Sequence, residues 1–497
     1  MKNLSKFLIA TIVIVCCCET ACNKQDASVM PVPGNTGVLK SASDKGCPVF
    51  TVSPGADLKD SKAIQKAFDD AVAAGPGSTV QLTKGTFCLD ERIEVEGFVG
   101  CFRGAGKEKT IITTPIDKPV DFSLPVADFE SLIKFRHGNI NISDFTIKIS
   151  NPLPCTGILY NWTDGFPFLI SFTGSSVKDG VLTNPVASAT LNNVKFIGWR
   201  NDVFDESGEA YNVTYCVGIG TDGYDPVNWR CIKGNLKITN CEFRTINWCI
   251  VATIDGNCII GGENNSGNKF EDVMRGVVCD DCSNSICDIS NNYFTKNYLS
   301  PIHLHEGAYG NSVSKISKFL IRRNYIEASY GDAILLYDDA YLYDDANGLG
   351  EDKKLDVNIS DNRIYLNNSD YGDIGGWTGG IAGYEAKDVL VTNNIIWGNT
   401  LFGGIYAGTG DYESSGWLIK GNNVQGVNAQ VAPIWLGPKT SYFTVIGSSL
   451  NTTVLDEGTN NILINVNKKH LDHPHPEINE NMMRHHEMMK SFKGHRR

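Results

Sequence analysis

With 50 glycines among 497 residues, aromatic residues at 10% and charged residues at 20%, the chain suits strands and tight corners better than a helical bundle. The formal charge is −12, and Lys and Arg are scattered through the sequence instead of forming a stripe, which excludes nucleic acid as an expected partner. Length does not fix the number of domains, because repeat solenoids exceed ordinary domain size as single units.

The chain opens with Met1-Lys2-Asn3-Leu4-Ser5-Lys6 and an apolar run from Phe7 to Val15, a charged segment followed by a hydrophobic one too short to span a bilayer. This is the pattern of an export signal. It ends in Cys16-Cys17-Cys18-Glu19-Thr20-Ala21-Cys22, where a small residue precedes a cysteine, and it resembles a bacterial lipoprotein signal with Cys22 as the lipidated residue. The resemblance implies an exported outer-membrane protein, periplasmic or cell-surface, that touches the membrane only through its lipid. Residues 23–46, rich in Ser, Gly, Pro and Lys and without a period, are expected to be a flexible tether.

Twelve cysteines follow Cys22, an even number in a chain bound for an oxidising compartment. Cys88 with Cys101 and Cys216 with Cys231 are the expected local pairs. Cys279-Asp280-Asp281-Cys282 with Cys287 has the outline of a zinc half-site, but no second CxxC or His pair completes it, so disulfides or buried thiols are the expectation.

The folded body is expected over residues 47–467. Its first element is an amphipathic helix from Asp60 to Gly75, with an acidic N-cap, apolar residues at 64, 67, 68, 71 and 72, and a terminal glycine. Strands are predicted over 79–82, 84–89 and 93–95. Gly55-Ala56-Asp57, Ala63-Ile64-Gln65 and Gly85-Thr86-Phe87 together resemble the entry segment of the pectate-lyase-like β-helix superfamily. That resemblance spans about forty residues, and it implies an all-β, right-handed parallel β-helix whose open first coil is covered by the N-terminal helix.

Internal repetition supports the same architecture. A six-residue phrase recurs as ITNCEF (Ile238 to Phe243), ISNNYF (Ile289 to Phe294), IRRNYI (Ile321 to Ile326), ISDNRI (Ile359 to Ile364), VTNNII (Val391 to Ile396) and IKGNNV (Ile419 to Val424). Its fourth position is Asn292, Asn324, Asn362, Asn394 and Asn422, preceded by Asn268 in a variant, at separations of 24, 32, 38, 32 and 28 residues. One coil with loops of varying length fits those separations. Asparagines stacked at about 4.8 Å are expected to form an amide ladder along an interior bend.

A second strand follows most of these phrases, aligned on Val203, Ile250, Val277, Ile302, Ile334, Ile381, Ile405 and Ile434. The residues two places on are apolar or small except Asp205, so the first and third columns are expected to face the core. The second and fourth then face outward and include His303, Tyr406 and Trp435 in one column and Asp280, His305, Tyr337 and Tyr384 in the other. Asp281, Glu306, Asp338 and Glu385 stand at the bend that follows, in four consecutive coils.

Rungs about 4.8 Å and 9.6 Å apart bracket the roughly 5 to 9.5 Å that separate the carboxyl pairs of retaining and inverting glycosidases. Stacked carboxylates repel, which raises one pKa toward a general acid's range or recruits Ca²⁺, for which Asp281 is the candidate ligand. The expected catalytic residues are Asp280, His305, Glu306 and Asp338: a carboxylate from Asp280, Glu306 or Asp338 as acid, and His305 or another carboxylate as base. His303, Tyr337, Tyr384, Glu385, Tyr406 and Trp435 are expected to bind substrate, the aromatic faces packing against sugar rings. A lyase would need an Arg, Lys or His near the groove; Arg200 and Arg275 precede strands, but neither lies in a specific motif, and the Asn-Thr-Asp, Asp-Asp and Gly-His-Gly set of a polygalacturonase-like hydrolase is missing. Lyase and hydrolase therefore stay open. A non-catalytic carbohydrate-binding or adhesive scaffold is the other reading, and under either the protein is expected to be a monomer. Residues 468–497 hold six of the nine histidines and four methionines without fixed ligand spacing, as in a polar tail.

Overall fold

The computed structural model describes residues 47–470 except 57–58, 115–130, 151–167, 174–175, 179–180, 184–186, 199–216, 222–231, 247, 253, 264–265, 281–285, 298–299, 307–316, 329–330, 339–354, 368–378, 385, 410–412 and 449–450. Cys22, the tether and residues 471–497 lie outside the described residues. Among the described residues, three long parallel sheets of 14, 13 and 11 strands build a right-handed β-helix, and successive coils up to Ala429 add one strand to each. A representative coil passes from Ile286–Ser290 in the first sheet to Tyr293–Asn297 in the third and Ile302–Glu306 in the second. The next coil repeats this with Ser317–Arg322, Tyr325–Ala328 and Ile334–Asp338, paired in parallel with the strands before.

The repeated phrase is the corner between the first and third sheets. Its first residue lies in an inward column of Ile238, Ile260, Ile289, Ile321, Ile359, Val391 and Ile419. Its sixth lies in the facing column, where Phe196, Phe243, Phe270 and Phe294 stack with centroids 4.5–4.9 Å apart. The third residue turns the chain through a left-handed backbone conformation at Asn240, Asn291, Arg323, Asp361 and Asn393 (φ 55° to 58°), and glycine takes the position at Gly421. Asn and Asp tolerate that conformation better than most residues, which accounts for their recurrence there.

The ladder of asparagines is present and buried, from Asn268 through Asn292, Asn324, Asn362 and Asn394 to Asn422. From Asn292 onward each side-chain oxygen accepts two bonds from the asparagine one coil earlier, one from its backbone N–H and one from its amide; for Asn362 both are 3.0 Å from Asn324, whereas Asn268 accepts from the Cys241 N–H at 2.9 Å. Each amide nitrogen also donates to a carbonyl of the preceding corner, as Asn362 Nδ2 does to Ile321 O at 2.9 Å. A polar side chain is thus satisfied in an otherwise apolar interior.

The helix Ser61–Ala74 is present and buries Ile64, Ala67, Phe68 and Ala71. Phe68 packs against Phe98, Phe102 and Phe135 with centroids 5.0–5.6 Å away. Gln65 shows why an amide stands on this helix: its nitrogen donates to Glu94 O (2.8 Å) and its oxygen accepts from Glu94 N–H (3.0 Å), imitating the missing neighbour of the second sheet's first strand. Asp60 does not cap the helix. Its carboxylate accepts instead from the N–H groups of Gly55 (2.6 Å) and Cys88 (2.7 Å), fastening the helix start to the first coil. Cys101 carries a free thiol, so the expected Cys88–Cys101 disulfide is not formed: the two residues lie on strands of different sheets. Cys216 and Cys231 lie outside the described residues.

Candidate functional site

The second sheet carries the candidate site, and its register follows the expected columns from Ile250 onward: Ile250, Val277, Ile302, Ile334, Ile381, Ile405 and Ile434 are successive partners. Val203 does not belong to this series. The strand paired before Trp248–Ala252 is Val217–Thr221, which places Ile219 beside Ile250 and removes the anomaly of Asp205. Both Val203 and Asp205 lie outside the described residues.

Toward the strand ends, Asp280, His305, Tyr337 and Tyr384 occupy one row of consecutive backbone partners, and Glu306 is the partner of Asp338 in the next row. Neighbouring rungs of a parallel sheet are about 4.8 Å apart. Asp281 and Glu385 lie outside the described residues, so the Ca²⁺ site expected at Asp281 falls there too. Among the described residues no group of three or more His, Cys, Asp or Glu side chains converges as a metal site would.

The aromatic part of the expected wall is not an open platform. His303, Tyr384, Tyr406 and Trp435 are 6%, 2%, 0% and 4% exposed, which corrects their assignment as solvent-facing substrate contacts. The chain leaving the third sheet brings Phe402, Val431 and Ala432 over the outer face of the second sheet, where they form a second apolar cluster with Leu335, Ala382, Tyr384, Tyr406 and Trp435. Phe402 meets Tyr406 at 5.3 Å and Trp435 at 5.9 Å between ring centroids. Alternation along a strand separates inner from outer faces, but whether an outer face meets water depends on what crosses it.

His303 is paired instead of exposed: Arg275 donates from its guanidinium to His303 Nδ1 while its central carbon lies 5.2 Å from the centre of the Trp248 ring. A guanidinium only donates, so Nδ1 accepts and the ring proton sits on Nε2. Nδ1 of His303 is therefore engaged and not available to a metal. Arg275 lies within the strand Arg275–Asp280 as the partner of Trp248; Arg200 lies outside the described residues.

A buried polar chain that sequence reasoning missed runs through the same cluster. Asp332, 3% exposed, accepts a 2.7 Å hydrogen bond from the Tyr406 hydroxyl, and Tyr406 shares a 2.8 Å bond with the Tyr384 hydroxyl. Burial pushes the Asp332 carboxyl up to about 7, opposed by the bonds from Tyr406 and the Gly379 N–H. Burial likewise drives Tyr406 well above the usual tyrosine range, reinforced by the Asp332 charge and by Tyr384. Space for this contact comes from Gly379: a Cβ there would fall 2.1 Å from Cε1 of Tyr406, so only glycine lets the ring lie across that strand entry. Asp332 stands alone between Gly331 and Ala333, and no motif marks it; only the coil spacing brings residues 332, 384 and 406 together.

No protein-family model matches the sequence, and no curated protein matches it. Among solved structures, the chain is similar to the A-module of the mannuronan C-5 epimerase AlgE6 of Azotobacter vinelandii, at 13% identity and TM-score 0.40, over 83% of this chain and 96% of that one. It is similar to the DFA-IIIase of Arthrobacter chlorophenolicus A6 in complex with DFA-III, at 10% identity and TM-score 0.38, over 78% and 91%. It is also similar to the catalytic domain of a GH87 alpha-1,3-glucanase in complex with nigerose, at 12% identity and TM-score 0.37, over 87% and 69%.

Proposed function

We propose that this chain is a polysaccharide-active β-helix protein, a lyase or glycoside hydrolase whose site lies along the ends of the second-sheet strands at Asp280, His305, Glu306, Tyr337 and Asp338. The observation that carries the reading is the register, in which Asp280 and His305 are partners and Glu306 and Asp338 are partners. Backbone partners on neighbouring rungs are about 4.8 Å apart, near the roughly 5 Å between the carboxyl groups of retaining glycosidases. In this reading a carboxylate of Asp280, Glu306 or Asp338 is the acid, and His305 or a second carboxylate is the base.

Incubation with a panel of uronate-rich and neutral glycans tests it, following both absorbance of unsaturated ends and new reducing ends. Turnover of at least one glycan is expected, with Glu306→Gln and Asp338→Asn each lowering the rate by about 10²–10⁴-fold. New unsaturated ends identify a lyase and reducing ends alone a hydrolase. Glycan binding without either signal overturns catalysis in favour of a binding scaffold, and no binding overturns the glycan reading altogether.

We propose further that the protein is exported and lipid-anchored through Cys22 at the outer membrane. Supporting this are the charged and apolar opening and the Ala21-Cys22 junction. Expressed in a Gram-negative host, the full chain is expected to incorporate labelled fatty acid and fractionate with membranes, and Cys22→Ala to lose the label and appear in the soluble fraction. Labelling that survives Cys22→Ala would assign the anchor to another cysteine.

A further inference from the structure

We propose that Asp332, Tyr406 and Tyr384 form a hydrogen-bond wire that carries the protonation state of Asp332 to the row of Tyr337, His305 and Asp280, which makes Asp332 a positioning residue for the site. The positioning role rests on the functional reading above; the wire itself does not.

The direction of each bond follows from donor inventory. When Asp332 is ionised it can only accept, so the single hydroxyl proton of Tyr406 goes to Asp332 Oδ1. Tyr406 then has only lone pairs to offer, and Tyr384 must donate its own proton across the 2.8 Å contact. In that state Tyr384 meets any third group as an acceptor. When Asp332 takes up one proton from solvent, its carboxyl donates to Tyr406, Tyr406 donates to Tyr384, and the Tyr384 proton turns outward as a donor. No covalent bond changes, and the one proton gained resides on Asp332.

Three features support this switch. All three residues are at most 3% exposed, so water does not compete for the bonds. The wire ends on Tyr384, the backbone partner of Tyr337, which in turn pairs with His305. Finally, the protonation of Asp332 changes near neutrality because burial opposes its charge. Among the described residues, the titratable group that meets it is Tyr406, two coils on, which links it to Tyr384 on the intervening coil. On the preceding coil the outward column holds His303, bonded to Arg275 and partnered with Leu335 further along the strand.

The test uses full-length protein with ¹³Cζ-labelled tyrosine, the Tyr384 and Tyr406 signals being assigned by Tyr384→Phe and Tyr406→Phe. Both signals are expected to move with a common midpoint near pH 7 and to stop moving in Asp332→Asn. In Tyr406→Phe the Tyr384 signal should no longer follow Asp332. Tyr signals that stay still in the native protein between pH 6 and 8, or that still titrate in Asp332→Asn, overturn the wire.

For positioning, affinity for a glycan from the panel is expected to change about tenfold between pH 6 and 8, the effect of one hydrogen bond gained or lost, and less than about twofold in Asp332→Asn. A uniform loss at every pH marks a purely structural residue and overturns positioning. If no glycan binds, the functional reading fails and positioning with it, while the tyrosine signals still decide on the wire.

Discussion

Asn362→Ala is expected to destabilise the β-helix by about 3–5 kcal/mol, far more than an ordinary polar-to-alanine change. The truncation leaves the backbone N–H and side-chain amide of Asn324 without their 3.0 Å acceptor, takes the side-chain donor from Ile321 O, and removes one of the two donors to Asn394 Oδ1. These groups lie in the interior, where an unmade bond is not replaced by water. Asn428→Ala is the control: its amide makes a 3.0 Å bond to Asn399, but on an exposed face, and a change within about 0.5 kcal/mol is expected. Urea-denaturation midpoints of the two variants check the contrast. Equal, small shifts would show that the ladder accompanies the fold without stabilising it.

Asp332 gives the second large effect, and its sign depends on pH. Unfolded, this carboxyl titrates at its ordinary value of 3.8; folded, burial lifts it to about 7. Below 3.8 both states are protonated and no penalty exists. As pH rises, the unfolded chain ionises first, so stability falls progressively, and the loss is complete above the folded value. The full difference is about 4 kcal/mol at most. Asp332→Asn keeps shape and an acceptor for Tyr406 while removing the titration. The variant is therefore expected to gain thermal stability over the native protein progressively from pH 4.5 to about 7 and to hold that advantage to pH 8. A stability difference that is constant across that interval, followed by thermal melts, would contradict a carboxyl held near neutrality.

These expectations divide the molecule into parts that its sequence discloses and parts that it does not. Repetition alone phases the corners, because the coils from Asn292 to Asn422 meet the same local demand: an apolar residue, a left-handed turn, an asparagine facing its neighbour and a second apolar residue. Period-two alternation then orders the second-sheet columns correctly from Ile250 to Ile434. It fails at Val203 because a long segment intervenes, and no local signal counts the residues inside such a segment.

Coverage of an outer face is decided differently. Nothing near Tyr384, Tyr406 or Trp435 announces that Phe402, Val431 and Ala432 will cross above them, and aromatic residues expected to face sugar are packed against protein. The same folding assembles Asp332, Tyr406 and Tyr384, residues separated by 74 and 22 positions. The sequence by itself determined the solenoid, its coil spacing, its ladder and the register that aligns Asp280 with His305 and Glu306 with Asp338, because these follow from periodic, nearest-coil interactions. Only the tertiary structure decided which outer side chains are buried and which carboxyl is held near neutrality, since desolvation is set by everything packed around a group and not by its neighbours in the chain.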